Sequence, residues 1–151
     1  MKLKNYIKLV LEAMSDKSAL VIIHSDSLDS YGWQFGYDKA DSVANSIMAK
    51  LGSYDLVILV HQGLETDYTE QIERRLPSNS DVVEFDEDVE SWDVFEQELV
   101  DILRNDGIGK VWLAGAWYNS QCDSGCVTYT RSFLTKHGFD VEVDPAMVAH
   151  E

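Results

Sequence analysis

What most constrains this chain is the regular alternation of short apolar runs with longer segments whose apolar residues recur at helical spacing. Ala19–His24 and Tyr54–Val60 are nearly continuous apolar runs of strand length, and Asp81–Phe85, Lys110–Ala116 and Phe139–Val143 read as three further strands. Between them, Lys39–Leu51 turns Val43, Ile47, Met48 and Leu51 to one side, with Asp38 placed to cap it and Gly52 to stop it. Tyr68–Leu76 is a short helix halted by Pro77. Trp92–Arg104 is a helix capped by Ser91, buried through Phe95, Leu99, Ile102 and Leu103, and ended by Gly107. Cys126–His137 is a helix stopped by Gly138, and Leu3, Tyr6, Ile7, Val10, Leu11 and Met14 predict an opening amphipathic helix. The segment Ser25–Tyr37, rich in glycine, serine and aspartate, reads as a loop.

Strands that alternate with helices pair in parallel, and the crossovers lay helices on both faces of the sheet. The expected fold is therefore a doubly wound α/β domain of about five parallel strands in the order 3-2-1-4-5. That order reverses direction between the first and fourth strands, and ligands of such sheets bind outside the strand carboxyl ends at the reversal. His24, Asp26 and the segment to Tyr37 arrive there from one side, and Trp117 through Cys126 from the other.

The 151 residues make one domain, 1–151, with no low-complexity stretch, no repeat and only two prolines. The apolar runs are too short to span a bilayer, and the N-terminus lacks the continuous apolar core of a signal peptide. Two cysteines, Cys122 and Cys126, make no disulfide framework, so a cytoplasmic location is expected. The formal net charge of -15 repels phosphate backbones and argues against nucleic-acid binding. Acidity of this size reads first as a solvated exterior. Yet Asp81–Asp101 holds ten acids and no base, a surface that suits a basic partner.

Cys126 opens a helix just after a central strand, where unpaired N–H groups and the helix dipole favour a thiolate. The plainer reading is a small buried residue that packs helix onto sheet. Cys122 and Cys126 are one residue wider than the redox spacing C-x-x-C. His24, His61 and Asp26 gather polar groups at neighbouring strand ends, which suits a metal but equally marks where strands leave the core, so no metal or cofactor is expected. Trp33, Phe35 and Tyr37 alternate along the segment after the first strand, and Trp117 and Tyr118 lie on the facing loop. On extended chain the first three point one way, as the wall of a ligand pocket or as a homodimer contact.

The run Gly107-Ile108-Gly109-Lys110-Val111-Trp112-Leu113-Ala114-Gly115, then Cys126-Val127-Thr128-Tyr129-Thr130, then Gly138-Phe139-Asp140-Val141, resembles the isochorismatase-like cysteine hydrolases. Their corresponding pattern is a G-I-x-x-V-x-x-x-G strand, a C-V-x-x-T helix start and a G-Y/F-x-V strand. The likeness covers roughly the last third of the chain, with Ala19–Ile23 fitting the family's first strand more loosely. It implies a hydrolase of amide or enol-ether bonds in which Cys126 is the nucleophile. An aspartate ending the first strand takes the thiol proton, and a lysine after the third strand holds the anion. Here the aspartate position falls on His24, with Asp26 two residues on. The lysine position falls in Asp86–Glu90, which offers acids alone, and no lysine occurs between Lys50 and Lys110. The expectation is a divergent member with a degenerate site that binds a small ligand or a protein partner. The alternatives are an active hydrolase that pairs Cys126 with His24 or Asp26, and an acidic interaction protein acting on a basic partner surface.

Overall fold

The computed structural model describes residues 2–4, 16–64, 66–121 and 124–150. Five strands, β1 (Lys17–Ile23), β2 (Leu56–His61), β3 (Asp81–Glu84), β4 (Ile108–Tyr118) and β5 (Asp140–His150), form one sheet in the order β3-β2-β1-β4-β5. Every pairing is parallel; Ile22 lies opposite Leu59 on one side and Ala114 on the other. This is the expected order, with the reversal between β1 and β4.

The helices are α1 (Leu28–Phe35), α2 (Tyr37–Lys50), α3 (Asp67–Arg74), α4 (Trp92–Asn105) and α5 (Cys126–Lys136). Successive residues of a strand point to opposite faces, so a strand covered on both sides has to be apolar throughout. β1 meets that demand, since Ala19 to Ile23 are at most 1% exposed. Ala19, Val21 and Ile23 face a core with Phe95, Leu99 and Leu103 of α4 and Val127, Phe133 and Leu134 of α5. Leu20 and Ile22 face the opposite core with Tyr31 of α1, Ala40, Val43 and Ile47 of α2, and Ile72 of α3. Each such aliphatic side chain contributes roughly 1.5–3 kcal/mol on leaving water.

Three elements differ from expectation, the first being β4, which runs on through Trp117 and Tyr118 where a loop is expected. The segment Ser25–Tyr37 is helical: a 3-10 turn over Ser25–Ser27 leads into α1, and Tyr37 already begins α2. Leu28 and Tyr31, one helical turn apart, anchor α1 on the sheet, and burial outweighs the turn-forming composition. Gly32 is needed where it stands, because a Cβ there would lie 2.5 Å from Cδ1 of Tyr37. The fifth strand continues well past Val143. Its register slips so that Leu113 faces Val143 and Gly115 faces Val148, and Pro145 lies within the slip on an edge strand, where no ladder N–H is required of it. The predicted opening helix lies outside the described residues except for Leu3 and Lys4. Among the described residues no helix is long and apolar enough to cross a membrane.

Candidate functional site

The chain leaves β1 through His24, whose backbone is left-handed at φ 48°. Its N–H still donates to Val60 O at 2.7 Å, so the sheet ladder extends one residue beyond the strand. The ring is buried, stacks on Phe85 at 5.9 Å, and its Nε2 lies 3.0 Å from Phe85 O. A carbonyl can only accept, so Nε2 carries the proton and Nδ1 keeps the lone pair. Burial lowers the His24 pKa from its ordinary 6.5; the bond to Phe85 and the charges of Asp26, Glu87 and Asp86 oppose that shift without cancelling it.

Asp26 is turned toward the end of β2. Its Oδ2 accepts the backbone N–H of Gln62 at 2.8 Å and of Leu64 at 3.4 Å, while the buried Oδ1 has no hydrogen-bond partner. Ser25 beside it exchanges a 2.8 Å hydrogen bond with Thr69 of α3. These bonds make Asp26 the clamp that orders the turn after β2. His61, at the end of that strand, accepts the N–H of Gly63 on Nδ1 at 3.0 Å. His24, His61 and Asp26 are thus each tied to backbone, and among the described residues no group of three or more His, Cys, Asp or Glu side chains is placed to hold a metal ion.

Cys126 is the first residue of α5 and is half-buried at the margin of the α4–α5 core. Two glycines deliver it there. Gly115 (φ 103°) passes so close to Ile23 O that a Cβ would collide with it, and Gly125 (φ 94°) packs in the same way on Trp117 O. Asn119 N donates to Thr128 Oγ1 at 2.8 Å, which draws the connection down onto α5. The Cys126 thiol donates to Glu87 Oε2 with a separation of 3.8 Å. Glu87 follows β3 in a turn closed by the N–H groups of Val89 and Glu90 on Asp86 O. Phe85 meets Trp92 edge-on at 4.8 Å and Trp92 meets Tyr129 of α5 at 4.3 Å, which ties the end of β3 to α4 and α5.

The structure sets Cys126 against Glu87, whose charge also acts on His24, and points Asp26 toward the end of β2. The sequence places the acids Asp86, Glu87 and Asp88 at this edge if the sheet curls toward it; that Glu87 is the one to meet Cys126 had no separate signal. The five aromatic residues do not line one wall. Because α1 is a helix, Trp33 is 80% exposed, whereas Phe35, itself about half exposed, lies against Trp117 at 6.2 Å, with the buried Tyr31 completing the cluster at 5.6 Å from Trp117. Tyr37 stays about half exposed at the start of α2. Tyr118, next along β4, points to the opposite face and accepts a hydrogen bond from Arg131 at 2.8 Å. Cys122 lies outside the described residues.

No family model matches the sequence, and no curated protein matches it significantly. Solved structures do. The nicotinamidase SaPncA from Staphylococcus aureus superposes with a TM-score of 0.60 at 18% identity, over 87% of this chain and 84% of its own. The MAR1 ribonuclease from Caenorhabditis elegans gives 0.59 at 16% identity, over 90% of this chain and 66% of its own. At such identities the shared property is architecture, and the fold of this chain is the isochorismatase-like one: a five-stranded parallel sheet between two helical layers.

Proposed function

We propose that this chain binds a ligand at the carboxyl edge of its sheet without hydrolysing it, with the Cys126 thiol protonated in a site of inverted charge. The observation that carries the reading is the 3.8 Å contact from Cys126 to Glu87. A cysteine hydrolase needs a thiolate, and a thiolate needs positive charge or hydrogen-bond donors around it. A carboxylate beside the sulfur favours S–H and repels the anion. Where the sequence resemblance implies an aspartate base and a lysine, this chain has an imidazole that burial keeps neutral and a glutamate. Asp86 and Glu87 reject carboxylates and phosphates at this edge and favour a neutral or cationic small molecule, or a basic side chain of a protein partner.

One feature favours a second reading, an active hydrolase. With Nε2 of His24 committed to Phe85 O, Nδ1 is a ready proton acceptor on the strand next to β4.

Ionisation of the thiol separates the two. Alkylation of Cys126 by iodoacetamide, followed across pH in a Cys122→Ser background, gives the midpoint directly. The binding reading expects a midpoint at or above about 8.5, the value of an unperturbed cysteine. It further expects Glu87→Lys to bring that midpoint down by about one unit or more, equivalent to about 1.4 kcal/mol. A native midpoint near or below about 7 would overturn it, because Cys126 would then be an activated nucleophile despite its neighbour.

A further inference from the structure

On the other flank of α5, away from Glu87, a pocket of about 440 Å³ has Tyr118, Gln121, Arg131, Ser132, Thr135 and Lys136 in its lining. The described residues that line it offer hydroxyls and amides with two cations, and no acid is among them. In a chain with 27 acids and 12 bases, that local balance runs against the composition. Among the described residues, Lys50 pairs with Asp144, Arg74 with Glu70 and Lys110 with Asp140. Arg131 and Lys136 belong to none of these pairs. Lys136 also borders a smaller hollow containing Glu96, whose carboxylate accepts the Tyr129 hydroxyl at 2.9 Å.

Arg131 is also oriented. Its NH1 donates to the hydroxyl of Tyr118, a residue only 8% exposed, which leaves the guanidinium's other donors for a partner. A planar guanidinium held at one corner matches the oxygens of a phosphate group, and an ammonium within the same pocket adds a second charge-assisted contact. Ser132 and Thr135 supply hydroxyls alongside, on the same stretch of α5.

We infer that this pocket binds the phosphate group of a small phosphomonoester, with Arg131 and Lys136 as the anion-holding residues and Tyr118 positioning Arg131. The site is separate from the Cys126 edge and independent of the function proposed there. The pocket is large enough for a phosphorylated sugar as well as for inorganic phosphate.

The test is titration of the full chain with ribose 5-phosphate, and separately with inorganic phosphate and succinate, followed by amide and arginine side-chain NMR shifts. The expected result is saturable binding of both phosphates, stronger than that of succinate, with shifts confined to residues 118–121 and 128–136. Arg131→Gln should weaken ribose 5-phosphate at least about tenfold, and Lys136→Gln several-fold, as loss of charge-assisted contacts dictates. Lys39→Gln, on α2, should leave binding unchanged. If Arg131→Gln fails to fold, Lys136→Gln decides alone. Shifts that do not saturate, that spread over the surface, that favour succinate, or that weaken equally in Lys39→Gln would overturn the inference.

Discussion

Burial holds the His24 imidazole in its neutral form while three carboxylates nearby pull the other way, so this one ring ties the site to the stability of the fold. Its folded pKa lies below 6.5, its unfolded value. Above pH 6.5 the ring is neutral in both states and its contribution is complete. As pH falls below that point the unfolded chain takes up the proton first, and stability drains until the folded pKa is passed. Thermal unfolding of the native chain between pH 7.5 and pH 5 should therefore show a steeper loss than the same series on His24→Asn. Asparagine suits this comparison because it tolerates the left-handed backbone that His24 adopts. Parallel losses in the two proteins would mean that the ring protonates as easily in the fold as out of it. The residue scale is also where the sequence was least legible. His24, Asp26 and Cys126 announced themselves by position at the ends of a strand and a helix, but only packing could show that Asp26 turns toward Gln62 and Leu64 while Glu87 comes over to Cys126.

At the scale of elements, the crossing of β4 beside β1 fixes how the site is assembled. Gly115 is the closest point of that crossing, and its positive φ and missing Cβ let the strand pass against Ile23 O. Gly115→Ala should destabilise the fold by about 3 kcal/mol or more, from backbone strain and collision together, as measured by urea unfolding. Gly52→Ala meets nothing within 4 Å and serves as the control, with an effect within about 1 kcal/mol. A Gly115→Ala protein as stable as the control would show that the strands separate there at little cost. The strands and most helices were readable because their apolar periods of two and 3.6 are properties of sequence alone. The segment after β1 was not, since its serines, aspartates and glycines outweigh Leu28, Tyr31 and Phe35, whose helical spacing was the available signal. The extension of β5 past Pro145 escaped for a similar reason: a proline excludes a central strand but not a slipped edge.

For the whole molecule, strand order follows from alternation and chain direction, which is why 3-2-1-4-5 could be written before any coordinates. Architecture of that kind is shared with a nicotinamidase and with a ribonuclease, so it does not choose between chemistries. The choice rests on whether the intact protein turns over a substrate through its cysteine. Nucleophile, base and anion-holding cation act as one unit in such enzymes, and losing one member forfeits most of what the others contribute. Release of ammonia from nicotinamide, followed for the native chain and Cys126→Ser prepared side by side, reads that out. The account predicts the same background rate for both proteins. Turnover by the native chain that vanishes in Cys126→Ser would contradict it and make Cys126 the nucleophile of a working hydrolase, with His24 or Asp26 as its base.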